Sequence, residues 1–276
     1  MTYPDGRSRR PVPVIHLGAV QNVLAITRRE LGAYFDSPLA YFIVPIYAIL
    51  VGGFALWFDD VFAAATVTLR GVFFWSGLFL LLLVPAITMR LFAEERRTGS
   101  IELLVTLPLT ETELVAGKYI AALVMVAVAL ASTLTYPFMF ALLGLPPAGD
   151  DAAPALLRLF SETNLDWGPA IGGYVGLFLI GAALAAIGTA ASSLTSNQIV
   201  AYLVAVVLSV FPWVAGMVLD KVPVDILPVV QYLTFTWHFD NLARGVVDTR
   251  DLVYWVGLVG ICLHVAVWSL ERRRLA

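Results

Sequence analysis

The sequence predicts an all-α integral membrane protein with six transmembrane helices. The 276-residue chain is 60% hydrophobic and only 13% charged, whereas soluble domains carry about 25% charged residues. Its mean hydropathy is +0.86. A water-soluble fold of this length cannot bury so much apolar side chain, so the excess must face lipid. These proportions exclude a soluble enzyme, a secreted disulfide scaffold and a nucleic-acid-binding domain. With a net charge of −3 the chain has no electrostatic attraction to nucleic acid.

Six apolar segments are long enough to cross a bilayer. A hydrocarbon core about 30 Å thick requires roughly 20 apolar residues in a helix. A window of that length predicts spans at about 39–58, 72–92, 119–143, 169–194, 199–219 and 252–270. The chain then divides into a cytoplasmic tail (1–19), a single transmembrane domain (20–270) and a second cytoplasmic tail (271–276).

The distribution of basic residues predicts the orientation of these spans. Lys and Arg accumulate in cytoplasmic loops. With six spans both termini lie on one side, which holds 12 of the 17 Lys and Arg residues, and the other side holds 5. Both termini are therefore expected in the cytoplasm.

An amphipathic helix is predicted at 20–36, before the first span. Cytoplasmic arginines on its polar face suit a helix that lies in the membrane interface. The dipeptide Ser37-Pro38 ends the helix before the chain enters the bilayer. Its apolar face consists of residues at three- and four-residue steps: Val20, Val23, Leu24, Thr27, Leu31, Tyr34 and Phe35.

The link between the second and third spans combines a charge cluster, a glycine turn at Gly99 and a short apolar-faced helix that ends at Pro108. Ser100 fits the N-cap of that helix, and Thr110 with Glu113 forms a capping box for the third span. Two interpretations remain open from the residues alone. The link is either a ridge that docks in a groove of another protein or a solvated charge run beside a lipid-facing helix.

Two further segments have a predicted structure. The loop at 220–251 is too apolar for a linker, and we expect two short helices that dip into the outer leaflet. Small residues recur along the fourth span and allow another helix to approach closely. We favour packing within one protomer over a dimer seam for these positions, which are Gly172, Gly176, Gly181, Ala185 and Thr189.

These features resemble the membrane subunit of an ABC-2 type transporter. Residues 92–104, followed by Leu107-Pro108 and Gly117-Lys118, are similar to that family's E-(basic)-x-G-(T/S)-x-E-x-L pattern with a later P and G-K. Residues 37–41, 85–90 and 239–251 resemble the gliding-motility-associated permease branch of the family.

The resemblance implies roles for three groups of residues. The ATPase-docking surface would consist of Glu94, Glu95, Gly99, Ser100, Glu102, Leu103, Leu104 and Pro108. A connecting helix beside it would contain Arg28, Arg29 and Glu30. An outer re-entrant loop would contain Trp237, Phe239, Arg244 and Gly245.

The resemblance also implies partners in the plasma (inner) membrane of a bacterium. ATP and Mg²⁺ are expected on a separate ABC ATPase subunit, because Gly117-Lys118 is followed by Tyr119 and does not complete a Walker A loop. Two membrane subunits pair in such transporters. The gliding-motility-like branch adds a membrane protein with an extracytoplasmic domain.

The chain itself is expected to be an export permease without catalytic, cofactor-binding or metal-binding residues. The rival hypotheses are a lipid-modifying enzyme and an ion-coupled carrier. An enzyme would need clustered carboxylates, and we expect the nearest candidates, Glu94 and Glu95, to pair with Arg96 and Arg97. The scarcity of charge in the spans favours a lipid-like cargo or mechanical work on an outer partner.

Overall fold

The computed structural model describes residues 18–58, 69–100, 109–143 and 165–274, and within these ranges all regular structure is helical. Of the predicted docking residues, Glu102, Leu103, Leu104 and Pro108 lie outside the described residues. The helices are α1 (Ala19–Asp36), α2 (Pro38–Phe58), α3 (Arg70–Thr88), α4 (Arg90–Thr98), α5 (Glu111–Thr133), α6 (Thr135–Leu143), α7 (Trp167–Leu194), α8 (Gln198–Met217), α9 (Leu227–Leu233), α10 (Phe235–Ala243) and α11 (Thr249–Arg274).

The prediction of six spans is confirmed. Six helical segments are long and apolar enough to cross a membrane, namely Tyr41–Phe58, Arg70–Thr98, Glu111–Leu142, Trp167–Leu194, Gln198–Met217 and Thr249–Arg272. The second continues past the predicted end at 92, and the third begins before 119. An apolar window marks the part of a helix that lipid covers, whereas the backbone hydrogen bonds continue into the charged turns beyond it.

Helix α7 lies at the centre of the bundle. Buried residues make up 67% of its apolar window, compared with 22% for α8 and 17% for α11. Its glycines allow close packing: Gly172 lies against the backbone carbonyl of Leu242, and Gly181 lies against Val126 of α5. The prediction that these small residues pack within one protomer is confirmed.

The two ends of α7 hold different parts of the chain. Helix α10 packs on its first turns through Leu242, and α4 packs on its last turn through Ser192. A helix of 28 residues is about 42 Å long at 1.5 Å per residue. We refer to these regions as the α10 end and the α4 end of the bundle.

Helix α1 ends as predicted, because Ser37 is extended and α2 begins at Pro38. One side of α1 packs on α5, where Ile26 lies against Gly117 and the Thr27 hydroxyl donates to the Gly117 carbonyl at 3.1 Å. A second apolar strip stays open, in which Val20 is 72% exposed. One part of the predicted apolar face therefore packs on α5, and the other part is exposed. The exposed part suits contact with lipid.

A kink at Leu134 separates α5 from α6. Pro137 has no N–H to donate to the carbonyl of Thr133, four residues before it. The hydroxyl of Tyr174, on α7, donates to that carbonyl at 2.8 Å. A neighbouring helix thus satisfies the acceptor that the proline leaves unpaired, as expected inside a membrane.

Replacing Tyr174 with Phe should therefore destabilise the bundle by about 1 kcal/mol, because the Thr133 carbonyl loses its donor. Thermal unfolding in detergent measures the effect. Tyr202→Phe, on α8, is the matched control and should leave the melting temperature unchanged. Equal melting temperatures for the two variants would contradict this account of the kink.

Candidate functional site

Helix α4 has an N-cap that another span supplies. Its own N-cap residue, Met89, makes no side-chain capping bond. The buried hydroxyl of Ser192, on α7, instead accepts from the N–H groups of Phe92 at 3.0 Å and Ala93 at 3.1 Å, and it donates to the Met89 carbonyl at 2.9 Å. A serine hydroxyl has one donor and two acceptor positions, so all three are used. The start of α4 is thereby held by the end of α7.

A second connection ties α4 to α11. The Arg96 guanidinium donates to the Ser269 hydroxyl at 3.2 Å, and Ser269 donates to the Ser193 carbonyl at 2.9 Å. Gly99 then ends α4 in the left-handed conformation with φ +74°, which glycine adopts without a Cβ clash. The predicted glycine turn is confirmed.

Four charged side chains meet where α1, α4 and α5 converge, and we call them the Lys118 cluster: Arg29, Glu30, Glu95 and Lys118. The fully buried ammonium of Lys118 lies 2.9 Å from Glu30 Oε1 and 2.8 Å from Glu95 Oε1. The Arg29 guanidinium contacts the same two oxygens at 3.0 and 2.8 Å. Two cations and two carboxylates balance, which is the condition for burying charge at tolerable cost.

Aromatic rings line the same region. The ammonium of Lys118 lies 5.2 Å from the centroid of the Phe92 ring, and the Arg90 guanidinium lies 4.4 Å from the centroid of Tyr34. Burial raises the pKa of Tyr34, so its hydroxyl keeps the proton that it donates to the Ile87 carbonyl at 2.8 Å. A cleft of about 320 Å³ opens beside these groups, with Glu94 at its edge.

The expected pairing of Glu95 with a neighbouring arginine was wrong. Glu95 bonds to Arg29 of α1 and Lys118 of α5. Successive residues of a helix point about 100° apart, so Glu95 and Arg96 cannot face each other, whereas side chains from three helices can converge on one point. Lys118 had no predicted role, although a lysine just inside the apolar run of the third span was a usable signal.

The other predicted docking residues are arranged around this cluster. Glu94 and Gly99 are exposed and Ser100 is half-buried, so they lie on the solvent side of α4, while Glu95 faces inward. On α1, Arg28 is exposed, and Arg29 and Glu30 join Glu95 in the Lys118 cluster. The capping box is also confirmed: Glu113 N–H donates to the Thr110 hydroxyl at 3.2 Å.

The predicted outer loop forms the short helices α9 and α10 at the other end of α7. Phe239 is buried against Gly176, and Gly245, with φ +80°, lies beside Pro169. Trp237 and Arg244 are exposed. Helix α10 packs on α7 and α8, and α9 packs on α8. Their depth in the outer leaflet stays a prediction.

A buried His–Asp pair, which the sequence did not reveal, fixes α10 to α11. His238 Nδ1 lies 2.7 Å from Asp251 Oδ1, and Nε2 lies 3.0 Å from the Tyr232 carbonyl. A carbonyl only accepts, so Nε2 carries hydrogen and the pair shares one further proton between Nδ1 and Oδ1. Asn241 donates to the second carboxylate oxygen at 3.0 Å. This network connects α10 to the start of α11 and to the end of α9.

The comparison with protein families decides the classification. A family model described as ABC-2 family transporter protein matches residues 59–267. The chain belongs to this family. No curated protein matches the chain.

The family match covers most of this ABC-2 transporter chain, including parts of both the α4 end and the α10 end of the bundle. The matched residues run from before α3 almost to the end of α11, so they include α4, Lys118 and α10. Arg29 and Glu30, on α1, lie before the matched segment. Members of this family are membrane components of transporters. The chain is accordingly a multi-pass membrane permease.

Replacing Lys118 with Met should lower the stability of this permease by about 3 kcal/mol. The change removes one cation and leaves two carboxylates with Arg29 alone. Lys221→Met, at an exposed lysine of the α10 end, is the control and should change stability by less than about 0.5 kcal/mol. Thermal unfolding in detergent measures both.

A second variant tests whether charge balance is the reason for the loss of stability. It neutralises the three least exposed members of the Lys118 cluster together. The variant Glu30→Gln/Glu95→Gln/Lys118→Met should recover much of the loss, because no unpaired buried charge remains and the Arg29 side chain, which is 56% exposed, stays hydrated. A triple variant less stable than Lys118→Met alone would contradict the charge-balance argument.

Proposed function

We propose that the chain is the transmembrane subunit of an ATP-driven exporter and that a separate ABC ATPase subunit binds the surface formed by α4 and α1. ATP binding would move this surface, and the spans would shift between two packed arrangements. Such a shift requires a difference in contact free energy between the two states.

The observation that carries the proposal is the anchoring of α4 to four other helices. Its outer side exposes Glu94, while its inner side bonds to α7 through Ser192, to α11 through Ser269, and to α1 and α5 through the Lys118 cluster. Chains of packed side chains, hydrogen bonds and ion pairs with two alternative arrangements carry energetic coupling between distant sites. A protein bound to the exposed side of α4 could therefore displace α1 and three spans, α5, α7 and α11, together with its own span, which supports a docking role.

The charge distribution supports a cytoplasmic α4 end with both termini on that side. Arg96 bonds to Ser269 near the end of α11, so the basic residues of α1, α4 and the α11 terminus lie at one end of the bundle. Arg70, Lys221, Arg244 and Arg250 belong to the other end. An excess of Lys and Arg marks the cytoplasmic side of bacterial inner-membrane proteins.

The state of Lys118 supports placing ATP and Mg²⁺ on the partner subunit. A Walker A lysine points its ammonium at phosphates, but the Lys118 ammonium is committed to Glu30 and Glu95. We further propose a second membrane subunit and, from the likeness of residues 37–41, 85–90 and 239–251 to the gliding-motility-associated branch, an accessory membrane protein with an extracytoplasmic domain.

Glu94→Arg tests the docking surface. When the permease is co-expressed with its ABC ATPase subunit, the charge reversal should reduce co-purification of the ATPase at least tenfold, because a like-charge contact at an interface costs several kcal/mol. Asp220→Arg, an exposed reversal at the α10 end, is the control and should leave co-purification unchanged. Equal co-purification of both variants would overturn the assignment of α4.

Ser192→Ala separates docking from coupling. The variant keeps the exposed side of α4, so the ATPase should still co-purify, whereas permease-stimulated ATP turnover should fall several-fold because α4 loses its connection to α7. Ser132→Ala is the control, since that hydroxyl bonds only within its own helix. Lipid turnover by the purified chain, or proton-driven uptake without ATP, would instead support the rival enzyme or carrier.

A further inference from the structure

A cavity at the α10 end combines a charged rim with an apolar floor. It has a volume of about 280 Å³ and lies between α3, α7 and α10. Its floor is buried and includes Leu69, Phe73, Leu165, Ala170 and Phe239. Its rim is exposed and consists of Arg70, Asp166, Asp240 and Arg244.

The rim holds two cations that are available to a ligand. Within the described part of the chain, neither Arg70 nor Arg244 forms an ion pair with a carboxylate. Both lie near enough to Asp240 to oppose the effect of desolvation, which raises the pKa of that carboxyl. Asp166 accepts the N–H of Gly168 at 3.1 Å as the N-cap of α7. The rim as a whole is neutral.

An apolar crevice adjoins this cavity on the membrane side. It has a volume of about 440 Å³ and runs along α6 and α7 past the kink at Pro137. Ala170 lines both spaces, and the Phe73 ring of the cavity meets the Tyr174 ring of the crevice with centroids 5.5 Å apart. The side chains of Ile171 and Phe178 line the crevice and are exposed on the outer surface of the bundle, where lipid can reach them.

We infer that the cavity and the crevice together bind a phosphatidylethanolamine-type phospholipid. The phosphate would lie between Arg70 and Arg244, since guanidinium groups match phosphate oxygens. The ammonium would face Asp240, and an acyl chain would lie in the crevice.

The dimensions and charge of the two spaces select this class of ligand. A cavity of about 280 Å³ is at the lower limit of ligand pockets, which is about 300 Å³, so it suits a head group and leaves the chains to the crevice. A neutral rim also disfavours a head group with net negative charge, because Asp240 would repel a phosphate that has no ammonium beside it.

Native mass spectrometry of the full-length chain in detergent tests the inference without nucleotide or ATPase. Dioleoyl phosphatidylethanolamine and dioleoyl phosphatidylglycerol are added separately at equal concentration. The ethanolamine lipid should give at least a fivefold larger bound fraction. Free phosphoethanolamine, which lacks the chains, should bind far more weakly than the lipid.

Variants at the exposed rim identify the groups that bind. Arg70→Gln/Arg244→Gln should reduce binding of the ethanolamine lipid at least fivefold, and Asp240→Asn should abolish its preference over the glycerol lipid. Arg250→Gln is the control, because Arg250 is an exposed arginine of the same end that lines neither space. Ile171→Trp, at a lipid-exposed position, should obstruct the crevice and weaken binding without lowering the melting temperature.

Three results would overturn the inference: equal or stronger binding of the glycerol lipid, unchanged binding by the double arginine variant, or equal binding of free phosphoethanolamine. Loss of ATPase docking in the experiments above would leave this result untouched, because the binding assay contains no partner.

Discussion

The ammonium of Lys118 holds the α4 end of the bundle together. It is fully buried and bonds at once to carboxylates from α1 and α4. Burial of a charged group is costly unless opposite charges and hydrogen bonds compensate it, and here the ammonium and the two carboxylates compensate one another. The amphipathic helix, the end of the second span and the start of the third are therefore one electrostatic unit, and the surface of α4 depends on that unit for its position.

Helix α7 runs from the α10 end of the bundle to the α4 end and contacts other helices at both. Its glycines and alanines allow α3, α5, α8, α10 and α11 to pack closely, and Ser192 at its last turn completes the hydrogen bonds of α4. At its first turn Asp166 caps the helix beside the rim of the α10-end cavity. Helix α7 thus contacts both the proposed docking surface and the proposed lipid site.

The spans could be predicted from the sequence because lipid imposes a one-dimensional rule: about 20 apolar residues form a crossing. The glycine turn at Gly99 and the capping box at Thr110 were predictable for a similar reason, since both depend on residues within four positions. The partners of Glu95 were not predictable, because Arg29 and Lys118 are 66 and 23 residues away. The pairing of His238 with Asp251 and the cap from Ser192 likewise exist only once the helices pack.

The neutrality of the Lys118 cluster has an electrical consequence. A group that moves through the membrane field exchanges work with the membrane potential in proportion to its net charge, about 2.3 kcal/mol per elementary charge per 100 mV. Two cations and two carboxylates held together by ion pairs would exchange none if they moved by the same distance. If α1, α4 and the start of α5 were displaced together, these four groups would carry no net charge through the membrane field. The membrane potential would then neither favour nor oppose that displacement.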